Sequence, residues 1–152
     1  MTGIRTITEE DLPSIRKLIE QLAVDLGEVF EISKEKALEH YLAMQEHPEV
    51  YRSFVYCMDD QVIGFLSLVL YRSFFHRKGT ALVNELVVKK EFRNQQIGKA
   101  LLEHAFSVAT EAGMDELEVG VMKENTRALT FYRKNGFGEE YLLLGKEFSV
   151  KG

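Results

Sequence analysis

The chain has no tryptophan, one cysteine and two prolines in 152 residues. A lone cysteine excludes an internal disulfide, and the place of Cys57 in an apolar run reads as inert core rather than as a nucleophile. So few prolines leave little room for a disordered linker. The composition, 45% hydrophobic and 28% charged, is ordinary for one folded domain over residues 1–152. No apolar stretch approaches the ~20 residues needed to cross a bilayer, and the first ten residues hold no signal-peptide core, so a cytoplasmic location with no membrane partner is expected. Basic residues are in deficit, 19 against 24 acidic, for a formal net charge of −5. That balance speaks against a nucleic-acid-binding domain and suits a cationic substrate. His40, His47, His76 and His104 show no tight ligand spacing, and no metal is expected; His40 and His104 fall on helices, where a surface role is expected.

Hydrophobic periodicity divides what is present. Ile4 to Thr6 reads as a strand. Thr8 and Asp11 have capping-box spacing, Ile7 and Leu12 can form a hydrophobic staple, and Leu12, Ile15, Leu18, Ile19 and Leu22 mark one face of a helix. A second helix starts at Ser33 and stops before His47, ahead of Pro48, with Tyr41 and Leu42 facing inward. Three strands follow: Ser53 to Met58, Val62 to Tyr71 after a turn at Asp59 and Asp60, and Ala81 to Val88. Ile97, Leu101, Ala105, Val108 and Ala112 mark a helix ending at Gly113. Leu117 to Val121 is a strand, Asn125 caps a helix closing at Gly136, and Phe137 to Val150 reads as a final strand pair. This order predicts a mixed α/β (α+β) sheet with helices on its faces.

The chemistry is concentrated in Leu82 to Leu102, LVNELVVKKEFRNQQIGKALL. An apolar strand there runs through a polar turn into a helix whose first turn holds Arg93, Asn94, Gln95, Gln96, Ile97 and Gly98. Unpaired amides at a helix start suit a phosphate or pyrophosphate, Gly98 permits close backbone approach, and Arg93 and Lys99 add charge. The segment is neither a P-loop nor a dinucleotide fingerprint. It resembles motif A of the GNAT superfamily of N-acetyltransferases, Arg/Gln-x-x-Gly-x-Gly/Ala after an apolar strand. Arg93 and Gly98 match, while Gln96 stands where the first glycine usually is; its N–H could serve from ordinary helical dihedrals. Downstream, NTRALTFYRKNGF is similar to the family's Asn-x-x-Ala-x-x-x-Tyr-x-x-x-Gly-Phe, through Asn125, Ala128, Tyr132, Gly136 and Phe137. Ile4 to Leu22 resembles the family's opening strand and helix. Tyr71 to Val88 is weakly similar to the small-amine and aminoalkylphosphonate branch.

The resemblance implies a mostly antiparallel sheet and direct transfer of acetyl from acetyl-coenzyme A to an amine. It makes Glu85 the base and Tyr132 the proton donor to the departing thiolate. Backbone groups of Leu86, Val87 and Val88 would pair with the pantetheine arm, with an N–H near Val87 for the oxyanion, and Asn125 would cap its helix or bind that arm. Glu28, Glu31, Arg72 and His76 are the expected acceptor walls. Three readings stay open: a small-molecule amine acetyltransferase, a peptide or protein amine acetyltransferase, and a non-catalytic acyl-coenzyme-A-binding regulatory module. Exposed strand edges are compatible with a homodimer.

Overall fold

The computed structural model describes residues 1–149. The chain divides into two compact units, Met1–Val119 and a second beginning at Gly120.

The first unit holds β1 (Gly3–Thr6), α1 (Leu12–Asp25), α2 (Lys34–Gln45), β2 (Tyr51–Met58), β3 (Gln61–Arg72), β4 (Gly79–Val88), α3 (Ile97–Glu111) and β5 (Glu116–Val119). The five strands lie in chain order across one sheet, antiparallel except for the parallel pair of β4 and β5. Asp59 and Asp60 turn β2 into β3 with φ of 50° and 65°, the left-handed pair a two-residue hairpin requires. On one face Ile15 and Leu18 of α1 pack on Val55, Cys57, Phe65 and Val87, with Ile7, Leu12, Ile19 and Leu22 around them. On the other, α3 buries Leu101 and Ala105 against β3 and β4. There it comes so near the sheet that a Cβ on Gly64 would stand 3.1 Å from Leu101 Cδ1.

The entry to α1 is pinned by charge. Asp11 is buried, receives both terminal nitrogens of Arg5 at 2.7 and 2.8 Å, and accepts the Thr8 N–H at 2.8 Å. Charge-assisted bonds of this paired kind are the strong ones. The Arg5 hydrogen bonds, followed by that from the Thr8 backbone, hold the Asp11 carboxyl below its ordinary value against the cost of burial.

The second unit contains α4 (Thr126–Lys134). Asn125 Oδ1 accepts the Ala128 N–H at 3.1 Å, and Gly136 closes the helix at φ 99°.

Three expectations need correction. Residues 137–149 form no strand: the unit offers no strand to pair with among the described residues, and Leu142, Leu143 and Leu144 are exposed rather than alternating between two faces. Val150, the last residue of that expected strand pair, lies outside the described residues. Leu42 is 52% exposed, because the inward stripe of α2 runs through Ala37, Tyr41 and Met44 and leaves Leu42 about 100° away. His104 is not a surface residue: its Nε2 is buried and its ring meets Phe54 edge-on at 4.4 Å, and burial lowers its pKa.

Candidate active site

The β4 strand breaks its period at one place. Ser67 faces Glu85, but the next partners are Leu68 and Val83, so Asn84 is the extra residue of a bulge. Two polar residues in succession, Asn84 and Glu85, interrupt the apolar run at that point. The bulge sets Glu85 opposite Ser67, whose hydroxyl donates to Glu85 Oε1 at 2.7 Å. Ser53 stands opposite Ser67 on β2, which continues the polar row across the sheet.

This row floors a cleft of about 290 Å³. Its walls come from α1 (Ile15, Arg16, Ile19), α2 (His40, Tyr41, Met44) and the intervening loop (Phe30, Ile32). Glu28, Glu31, Arg72 and His76 do not line it. In the loop it is Phe30 and Ile32 that reach the cleft, while Glu28 and Glu31 are exposed. Arg72 is exposed at the end of β3, and His76 faces Glu116 at 3.9 Å and the Phe75 ring.

The same strand offers an open edge. Pairing of β4 with β5 ends at Val83 and Val119, so Asn84 to Val88 have no strand partner on that side among the described residues. Lys89 N–H donates to Ile63 O at 2.7 Å. Since inward groups alternate on an antiparallel ladder, Val87 turns its amide toward β3, and Leu86 and Val88 turn theirs to the open edge. Val88 O already receives Gln21 Nε2 at 2.9 Å and Arg93 Nε at 3.4 Å, while Gln21 Oε1 accepts the Lys90 N–H at 3.1 Å.

Beyond β4 the backbone turns sharply. Asn94 and Gln96 have φ of 64° and 66°, and the helix starts at Ile97, so Arg93 to Gln96 precede it rather than forming its first turn. Gln96 thus takes the left-handed conformation that a glycine would adopt freely, and not the helical dihedrals expected for it. Gln96 O accepts the Ala100 N–H at 3.0 Å, and the first amides of α3, from Ile97, Gly98 and Lys99, precede any intrahelical acceptor. Alternating hand before a helix start gathers successive amides into an anion-binding concavity. Arg93 does not point freely at that turn: its Nη2 is bonded to Asp25 at the end of α1, at 2.5 Å. The exposed side chains of Gln95 and Lys99 flank the turn instead.

In the second unit the Tyr132 ring packs edge-on against Phe131 and Phe137, with centroids 5.2 and 5.5 Å apart. Burial pushes its phenol up to about 12, so it is a neutral hydroxyl at physiological pH.

The fourth strand thus carries a bulge, a carboxylate and an open edge, and leads into an amide-rich turn before α3. The chain belongs to the acetyltransferase (GNAT) family, whose model matches residues 15–137. It is 30% identical over 108 residues to the spermidine N(1)-acetyltransferase of Thermoplasma acidophilum, covering 71% of this chain and 63% of that protein. It is 26% identical over 143 residues to the aminoalkylphosphonate N-acetyltransferase of Salmonella typhimurium, covering 94% and 89%. Among solved structures, glucosamine-6-phosphate N-acetyltransferase from Arabidopsis thaliana shares the fold with a TM-score of 0.82 at 18% identity, covering 98% of this chain and 99% of that one. The chain spans 63% of the length of two of the curated relatives it matches.

Several of these residues carry no signal in the sequence. Ser67 is defined by cross-strand register, and Gln21 and Asp25 by where α1 ends against β4. Only the Asn84–Glu85 pair, two polar residues inside an apolar strand, could have announced the bulge.

Proposed function

We propose that this chain is an acetyl-coenzyme-A-dependent N-acetyltransferase that acetylates a primary amine of a small molecule. The observation that carries this reading is Glu85, held by Ser67 on the floor of the cleft and within the stretch of β4 whose edge is open. The residues fit the cosubstrate by shape and chemistry: an unpaired strand edge suits the amides of a pantetheine arm, and the turn before α3 suits a pyrophosphate. Acetyl-coenzyme A supplies an activated acyl group as a thioester, open to direct attack by an amine.

The chain's own residues then have separable tasks. An alkylamine of pKa near 10.4 must give up a proton before it can attack, at a cost of about 4.6 kcal/mol at pH 7. Glu85 accepts that proton, directly or through a water, while the Ser67 hydroxyl fixes one carboxylate oxygen. Outward amides of Leu86 and Val88 bind by backbone pairing and offer an N–H to developing negative charge. Asn94, Gln95, Gln96, Ile97, Gly98 and Lys99 form the anion-binding turn, with Arg93 bracing it to α1. Tyr132 keeps its proton at neutral pH and serves as the acid for the thiolate, and Asn125 caps its helix.

The test is a thiol-release assay over a panel of amines, run beside calorimetric titration with acetyl-coenzyme A. Binding with turnover of a small amine supports the reading. Turnover of peptide amines alone moves the acceptor to the macromolecular class, and tight binding with no acetylation of any amine makes the chain a regulatory binding module.

A further inference from the structure

The cleft above Glu85 has an uneven chemistry. Most of its wall is apolar, with Ile15, Ile19, Phe30, Ile32 and Met44 among the contributors, and Glu85 is the one carboxylate that lines it among the described residues. The one guanidinium is that of Arg16, on α1. Arg16 Nε donates to Ile32 O at 2.9 Å, and its remaining donors have no carboxylate partner among the described residues. One anion for an ammonium, an apolar wall and a positive charge elsewhere on the rim together restrict the acceptor.

We infer that the acceptor is a monoamine with an apolar, aromatic-sized body, and that Arg16 discriminates against molecules carrying a second cation. This rests on the acetyltransferase reading above and specifies its substrate. The ammonium end meets Glu85 and Ser67, and the body lies between α1 and α2. The size fits: a dry cavity of about 150 Å³ admits benzene, so about 290 Å³ holds a phenyl ring with a short alkylamine tail. A polyamine fits poorly for a different reason. Its second ammonium would leave water for a wall with no other carboxylate and would face the Arg16 guanidinium, and an unpaired charge in such a setting is strongly disfavoured. Discrimination thus comes from a repulsive element as well as from apolar contact.

The experiment compares phenethylamine with spermidine on the full chain, by calorimetric binding of each amine without cosubstrate and by kcat/KM in the thiol-release assay. Phenethylamine is expected to be preferred by on the order of tenfold or more in both, the size of one like-charge contact at a protein surface. Arg16→Gln should narrow the gap mainly by strengthening spermidine binding, and Ala37→Leu, which adds bulk to the cleft wall, should weaken phenethylamine. Spermidine binding as tightly as phenethylamine, or failure of phenethylamine to bind, overturns the inference. Absence of thiol release with every amine counts against the catalytic reading, and the order of the two binding constants still decides this one.

Discussion

Gln96 provides a clean perturbation because its backbone is strained while its side chain is exposed. Its φ of 66° places an L-residue with a Cβ in the left-handed region, at roughly 1–2 kcal/mol. Gln96→Gly removes that cost but adds about 0.5–1 kcal/mol of unfolded-chain entropy. Because the exposed side chain contributes no buried packing, the net effect is a gain of about 0.5–1 kcal/mol, or roughly 2 °C in Tm for a chain of this size. Gln96→Val should go the other way by about 1 kcal/mol or more, because branching at Cβ worsens the same conformation. Gln95→Gly is the control: Gln95 has no positive φ, so the substitution loses entropy and gains nothing, and Tm should fall by about 1–3 °C. Differential scanning calorimetry of the three variants reads all of this. A lower Tm for Gln96→Gly than for the parent would refute the strained-turn argument.

Glu85→Gln should cut kcat/KM by about 10²–10⁴-fold at neutral pH, with partial recovery as rising pH frees the amine; a flat pH response removes Glu85 from the base role. Tyr132→Phe should remove a phenol raised to about 12 from an absorbance titration and slow turnover with acetyl-coenzyme A affinity unchanged. Asp11 has a depressed carboxyl pKa, so its stabilisation is complete above the unfolded value near ~4 and is lost as pH falls through the lower folded value. Asp11→Asn should therefore lower stability at pH 7 by about 2 kcal/mol and flatten the acid limb of urea-measured stability. Gly79→Ala would put a Cβ 2.0 Å from Tyr71 O and should cost about 2–3 kcal/mol in the same urea measurement.

Periodicity is sufficient to read α1, the hairpin and α3, because each buries one regular face. It fails at Leu42 and past Gly136 for the same reason in two forms. An apolar residue faces inward only if a partner surface exists at its angle, and neither Leu42 nor Leu142 to Leu144 has one within its own unit. The polar break before α3 is legible in the sequence, but its geometry is not: Gln96 occupies a glycine's conformation without being glycine, which no propensity indicates. Glu85 stands out as a charge in an apolar strand, whereas its partner Ser67 depends on a bulge and on register. The walls of the cleft are not legible from loop charge, because charged side chains gain by staying in water while Phe30 and Ile32 of the same loop reach it.

The central claim is that the outward amides of β4 and the turn before α3 receive acetyl-coenzyme A. A ¹⁵N-resolved NMR titration of the chain with acetyl-coenzyme A tests it residue by residue. The account predicts saturable shifts at the amides of Leu86, Val88, Ile97 and Gly98, with Val87, bonded to β3, moving least. Unchanged spectra at millimolar ligand, or shifts centred away from these amides, would contradict it.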